Sequence, residues 1–87
     1  MVLRISLEKT VGENCSSIDD GMKVLRLISP ELVKGFTVEV DFKGVSSLLT
    51  PFLSAFFGEL LEHFGREVTM THVVLRNVSD EFLPRIN

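Results

Sequence analysis

Apolar and polar positions alternate at the start of the chain: Leu3, Ile5 and Leu7 point one way, Val2, Arg4 and Ser6 the other. A period of two predicts a strand with one wetter face. Residues 8–15 (EKTVGENC) read as a polar turn containing Gly12. The pattern then changes period. Ser17 with Asp20 three residues on resembles a capping box, and acids in the first turn suit the positive end of a helix. Ile18, Met22, Leu25 and Ile28 fall on one stripe, widened by Val24 and Leu27. Ser29-Pro30 predicts the helix end, because a residue before proline resists the helical conformation. Gly21 lies inside this helix at a cost of about 1 kcal/mol against Ala, which marks either close approach to another backbone or simple tolerance.

Gly35 precedes a second strand, Phe36–Phe42, with Phe36, Val38, Val40 and Phe42 on one face and Thr37, Glu39 and Asp41 on the other. Lys43-Gly44 turns the chain, and Val45, Leu48 and Leu49 flank Ser46-Ser47. Thr50 is the expected N-cap of the next helix, with Pro51 where a missing N–H is harmless and Gly65 closing it after Phe64. A third strand is expected within 67–76, closing at Asn77, followed by a short helix capped by Ser79 and shortened by Pro84. The order is β-α-β-α-β-α: an α/β chain, one domain over residues 1–87, with a mostly parallel or mixed sheet. The place of the first strand in that sheet stays open.

At 87 residues the chain is near the small end of what folds alone, yet its mean hydropathy is +0.29 and it carries seven Phe. It has apolar area for a core and a surplus, to be covered by self-association or by a partner. The net charge of −3, with scattered Lys and Arg, offers no basic face for nucleic acid. One Cys permits no internal disulfide and fits a reducing compartment. The apolar-rich run 52–64 contains Glu59, Glu62 and His63, too short and too charged to span a bilayer. The expectation is a cytoplasmic protein without a membrane or nucleic-acid partner.

The loop between the second strand and second helix is where an α/β protein presents its working surface, and here it carries hydroxyls only: Ser46, Ser47 and Thr50. Activating one of them needs a base within reach. The histidines are His63, roughly 20 Å from Thr50 at the far end of the same helix, and His72 in the expected third strand. Helix-terminus and surface positions are their expected roles. One Cys and two separated His give no metal-ligand spacing, and no glycine fingerprint for a phosphate or cofactor appears. Cys15 reads as structural. Asp41 ends a strand beside the loop, and the plain reading is a turn-stabilising carboxylate. Leu53, Phe57, Leu60 and Phe64 form the stripe expected to cover the sheet; Phe52, Phe56 and Leu61 spill beyond it. Either another molecule covers the surplus, or the terminal residues Phe82, Leu83 and Ile86 fold over it.

The run VEVDFKGVSSLLTPFLSAFFGELLEHFG, followed by VVLRNVSDEFLPRI, resembles the STAS-like domain family of bacterial proteins of unknown function. The shared features are Asp41-Phe42, Gly44-Val45, Thr50, Phe52, Gly58 and Asn77, over roughly residues 15–87. That family is similar to anti-sigma factor antagonists, in which a loop Ser is phosphorylated by a partner kinase. The resemblance places the usual Asp-Ser-Ser-Gly stretch on Leu49, Thr50, Pro51 and Phe52, so the usual acceptor falls on Pro51, which has no hydroxyl. Thr50 matches the preceding Ser and is the first candidate phosphoacceptor, with Ser47 or Ser46 next.

The residues and the resemblance together imply a non-enzymatic signal-transduction module that binds another protein, with an anti-sigma-type ATPase or kinase as the implied partner. No cofactor is expected. The expected contact surface is Ser46, Ser47 and Thr50 with Phe52 and Phe56 as apolar anchors. The alternatives are a homodimeric structural module without a switch and a small enzyme using Asp41 and the loop hydroxyls.

Overall fold

In the computed structural model of the chain, residues 1–86 are described. Strand β1 (Val2–Ser6) runs directly into a short helix α1 (Leu7–Val11). A two-residue strand β2 (Asn14–Cys15) leads to the long helix α2 (Ile18–Val33) and strand β3 (Thr37–Asp41). A second short strand β4 (Ser47–Leu48) precedes a helix in three parts: α3 (Thr50–Leu53), a wide π turn (Ser54–Gly58) and α4 (Glu59–His72). Strand β5 (Val73–Arg76), a 3₁₀ turn (Asp80–Phe82) and helix α5 (Leu83–Ile86) complete it. The alternation of strands and helices holds for the main elements, and α1, β2 and β4 add to it.

The main sheet has the order β1-β3-β5, both pairings parallel. β3 is central, with Ser6 opposite Asp41 and Asp41 opposite Arg76, so the carboxyl ends of all three strands meet at one rim. Beside that rim β2 and β4 form a small parallel clasp, Asn14 facing Ser47 and Cys15 facing Leu48. Val38 and Val40 of β3, and Phe42 just beyond it, are buried with Val24, Ile28 and Leu32 of α2 and with Phe52, Phe56 and Leu60. The opposite face is polar: Glu39 lies between Arg4 (3.3 Å) and Arg76 (3.1 Å) across the strands.

Four local expectations are corrected. Residues 8–15 are not simply a turn: Leu7 is fully buried, and Ser6 caps α1 by accepting from the Lys9 amide at 3.3 Å. Pro30 does not stop α2. It removes one intrahelical bond, and the helix continues to bury Leu32 and to reach a Schellman ending at Gly35 (φ 84°), where the Phe36 amide donates to Glu31 and the Gly35 amide to Leu32, each at 3.0 Å. Strand β5 lies within the expected 67–76, but the helix does not end at Gly65. Gly65 (φ 79°, ψ 168°) breaks α4, as a helix stop should, but the chain resumes helix rather than strand, with buried Thr69 donating to the Leu60 carbonyl at 3.3 Å. Packing here overrides the strand preference of Val68, Thr69 and Thr71. Finally, α2 is rotated from its expected stripe: Gly21, Val24, Ile28 and Leu32 face the core, while Ile18, Met22 and Leu27 are exposed.

The rotation follows from Gly21. A Cβ there would stand 2.7 Å from the Phe52 carbonyl oxygen and 2.8 Å from the Ala55 Cβ. The absent side chain lets α2 lie backbone to backbone against α3 and the π turn, which fixes the position of the loop before them.

Candidate functional site

At the rim of the main sheet, Asp41 is the centre of a small polar knot. One carboxylate oxygen accepts from the Lys43 amide at 2.9 Å and from the Asn77 side chain at 2.8 Å. Asn77 reaches it from the end of β5 by adopting φ 56°, a left-handed conformation that Asn tolerates better than most residues. The Asn77 bond, then the Lys43 amide, hold the Asp41 carboxyl below its ordinary titration range. Phe42 accepts from the Val45 amide at 3.0 Å across a tight turn, with Gly44 at φ 87°. The Glu8 carboxyl lies over Gly44, where a Cβ would come within 2.5 Å of it. Asp41 therefore does what a turn-stabilising carboxylate does.

The loop that follows is pinned at four backbone positions. The Ser46 and Ser47 amides both donate to the Glu13 carbonyl, at 2.7 and 3.3 Å, and the Leu49 amide donates to Cys15 at 2.9 Å. Arg85, arriving from α5, donates to the Leu48 carbonyl at 2.7 Å. The Ser47 hydroxyl is spent on the Asn14 side-chain oxygen at 2.7 Å. Ser46, Leu49 and Thr50 remain exposed. Thr50 is not the N-cap: that position is Leu49, whose carbonyl accepts from Leu53 at 3.1 Å, and Thr50 is the first helical residue. Its side chain makes no hydrogen bond among the described residues.

The two expected anchors are not at the surface. Phe52 and Phe56 are each 0% exposed, at the centre of the core, with ring centroids 5.9 Å apart. In a regular α-helix, positions four apart drift by about 40° per step. The wide π turn over Ser54–Gly58 holds more residues per turn and reduces that drift, so Phe52, Phe56 and Leu60 share the buried face. Phe57, expected in the stripe that covers the sheet, is half-buried, with its ring 4.6 Å from Phe56. The terminal segment supplies part of the cover: Phe82 is buried, Ile86 packs against the core, and Leu83 is exposed.

The apolar surface near the loop comes instead from α2. Ile18, Met22 and Leu25 form one wall of an open groove of ≈ 460 Å³, and Pro51, Ala55 and Glu59 the other. The sequence pattern puts Ile18 and Met22 in the core. Glu13, Asn14 and Arg85, which hold the loop, carry no local signal; the partners of Asn14 and Arg85 lie 33 and 37 residues away along the chain.

The remaining reactive side chains are dispersed. His63 pairs with Glu59 at 3.0 Å on α4. His72 precedes β5, at the end of the sheet opposite Asp41. Cys15 is fully buried in the clasp, where burial and then the nearby Asp20 carboxylate push its thiol up to about 11. Among the described residues no three His, Cys, Asp or Glu side chains are grouped to hold a metal ion, and no helix is long and apolar enough to cross a membrane.

A family model, the STAS-like domain of unknown function (DUF4325), matches residues 20–82. The matched span begins in the first turn of α2, includes the pinned loop and both groove walls apart from Ile18, and ends at Phe82. No curated protein and no solved structure matches the chain.

Proposed function

The chain belongs to the family of STAS-like domains of unknown function, and from that premise we propose that it is a non-enzymatic protein-binding module of bacterial regulation, resembling an anti-sigma factor antagonist with a degenerate phosphorylation loop. The observation that carries this reading is the pinned loop. Its backbone is held by Glu13, Cys15 and Arg85, while Ser46, Leu49 and Thr50 face solvent. A rigid loop with free side chains loses little entropy on docking, which favours recognition. His72 stands at the end of the sheet opposite Asp41, and His63 is paired with Glu59 on α4, which favours binding over catalysis.

Leu49 takes the anchor role expected of Phe52 and Phe56, and Ser46 and Thr50 supply polar contacts. Thr50 is the candidate phosphoacceptor. Phosphate there would add negative charge at the start of a helix, next to the surface that meets the partner, and so change affinity. The partner is an anti-sigma-type ATPase or kinase.

A photo-crosslinking side chain placed at Leu49, in the cell of origin, tests the surface. The expected result is one dominant protein adduct from position 49 and none from the same probe at Val2 on the sheet edge. Identical adducts from both positions, or none from 49, would overturn the reading. Mass spectrometry after incubation with the ATPase-type kinases of that cell should find phosphate on Thr50; phosphate confined to other residues removes the switch.

A further inference from the structure

Along one side of α2 the exposed Ile18, Met22 and Val33, with half-buried Leu25 and Ser29 between them, form a second seam. Ile18, Met22, Leu25, Ser29 and Val33 follow one another at spacings of four, three, four and four, the pattern of a helix that packs against another helix. Ile18 is 57% exposed and Val33 76%. Along this seam two grooves run end to end, sharing Leu25 and His63. The first half has Glu59 in its wall and the second half has Arg26. Arg26 enters no ion pair among the described residues, and Glu59 meets only the neighbouring His63.

One groove with acid in one half and base in the other is complementary to itself turned end for end. We propose that this seam is the interface of a homodimer, a second copy of the chain laid antiparallel across α2 about a two-fold axis near Leu25 and His63. In such an isologous contact every interaction occurs twice, so Glu59 of each copy faces Arg26 of the other. Ile18 and Val33, at opposite ends of the seam, then cover one another. A single seam of this length makes a small interface, so the dimer is a weak one that forms at high protein concentration. The inference rests on α2 and α4 and is independent of the loop reading: the loop can fail as a docking surface while the seam dimerises, and the reverse.

Sedimentation velocity on the full chain, over concentrations up to about 1 mM, reads the assembly. The wild type should pass from monomer to dimer. Glu59→Arg and Arg26→Glu should each weaken the dimer about tenfold, because each reversal acts at two equivalent places, and the E59R/R26E double variant should recover most of the loss. Ile18→Asp should give a monomer whose thermal melting is unchanged. A wild type that stays monomeric throughout overturns the proposal. So does a double variant no better than the singles. A monomer whose groove resonances shift on addition of a cationic amphipathic helical peptide would assign the seam to another chain and overturn the homodimer equally.

Discussion

Gly21→Ala isolates the contact on which the loop's position depends. In a helix exposed to solvent the change should stabilise the protein by about 1 kcal/mol, because glycine is the poorer helix former. Here the new methyl would meet the Phe52 carbonyl oxygen at 2.7 Å, the Ala55 Cβ at 2.8 Å and the Phe56 amide nitrogen at 3.3 Å. Two of these are backbone atoms, so no side-chain rotation relieves them and the two helices must separate. Overpacking of this kind costs about 1–3 kcal/mol. Parting the helices also loosens Phe52 and Phe56, both fully buried. The net expectation is a loss of about 1–2 kcal/mol, and Gly21→Val should lose more than Gly21→Ala. For a domain of this size that is a fall in Tm of about 5–15 °C. Thermal melting by circular dichroism and urea titration measure it, with an unchanged urea slope showing that stability alone has moved. A Gly21→Ala variant that melts higher than the wild type would refute the close approach, and with it the reason given for the rotation of α2.

The other predictions concern the rim and the core. Asn77→Gly keeps the backbone conformation and removes the amide, so the Asp41 titration followed by NMR should move up toward ordinary carboxylate values; an unmoved titration contradicts the knot. The same lowered pKa has a signed consequence. The unfolded chain takes up the proton first, so the stability from Asp41 is complete above about pH 4 and is lost as pH falls through the lower folded pKa; in Asn77→Gly this part of the acid dependence should shrink. Cys15, buried with its thiol up to about 11, should resist a disulfide reagent at pH 8 in the native protein and react once urea unfolds it; rapid native labelling would contradict its burial. Phe52→Ala should cost about 3–5 kcal/mol in urea titration, and a folded, unperturbed variant would return that ring to the surface.

Much of the architecture is legible in the sequence because it rests on local pattern. Alternation in β1 and β3, the Ser17 cap accepting from Asp20 at 3.1 Å, the Gly44 turn and the break at Gly65 are each set by residues within a few positions of one another. The differences lie where distant packing decides. Pro30 reads as a stop, yet one lost hydrogen bond is outweighed by the burial of Leu32 and the Gly35 ending. The face that α3 and α4 bury depends on a π turn that nothing in Ser54–Gly58 announces, so the apolar pattern alone puts Phe52 and Phe56 at the surface. Gly21 hints at close approach, but its neighbour, the backbone of Phe52 and Phe56, lies more than thirty residues away along the chain. The site follows the same division. The strand-loop-helix punctuation points to Ser46, Ser47 and Thr50. The contacts that make the loop rigid, from Glu13, Asn14 and Arg85, exist only in three dimensions.

The most direct test of the central claim is the affinity of the partner captured through position 49, compared between the wild type and Leu49→Asp by titration calorimetry. The account predicts a loss of at least about tenfold, since one exposed anchor is replaced by a charge at a desolvated contact, with thermal melting unchanged. Equal affinity in a folded Leu49→Asp protein would contradict it and move recognition away from the loop.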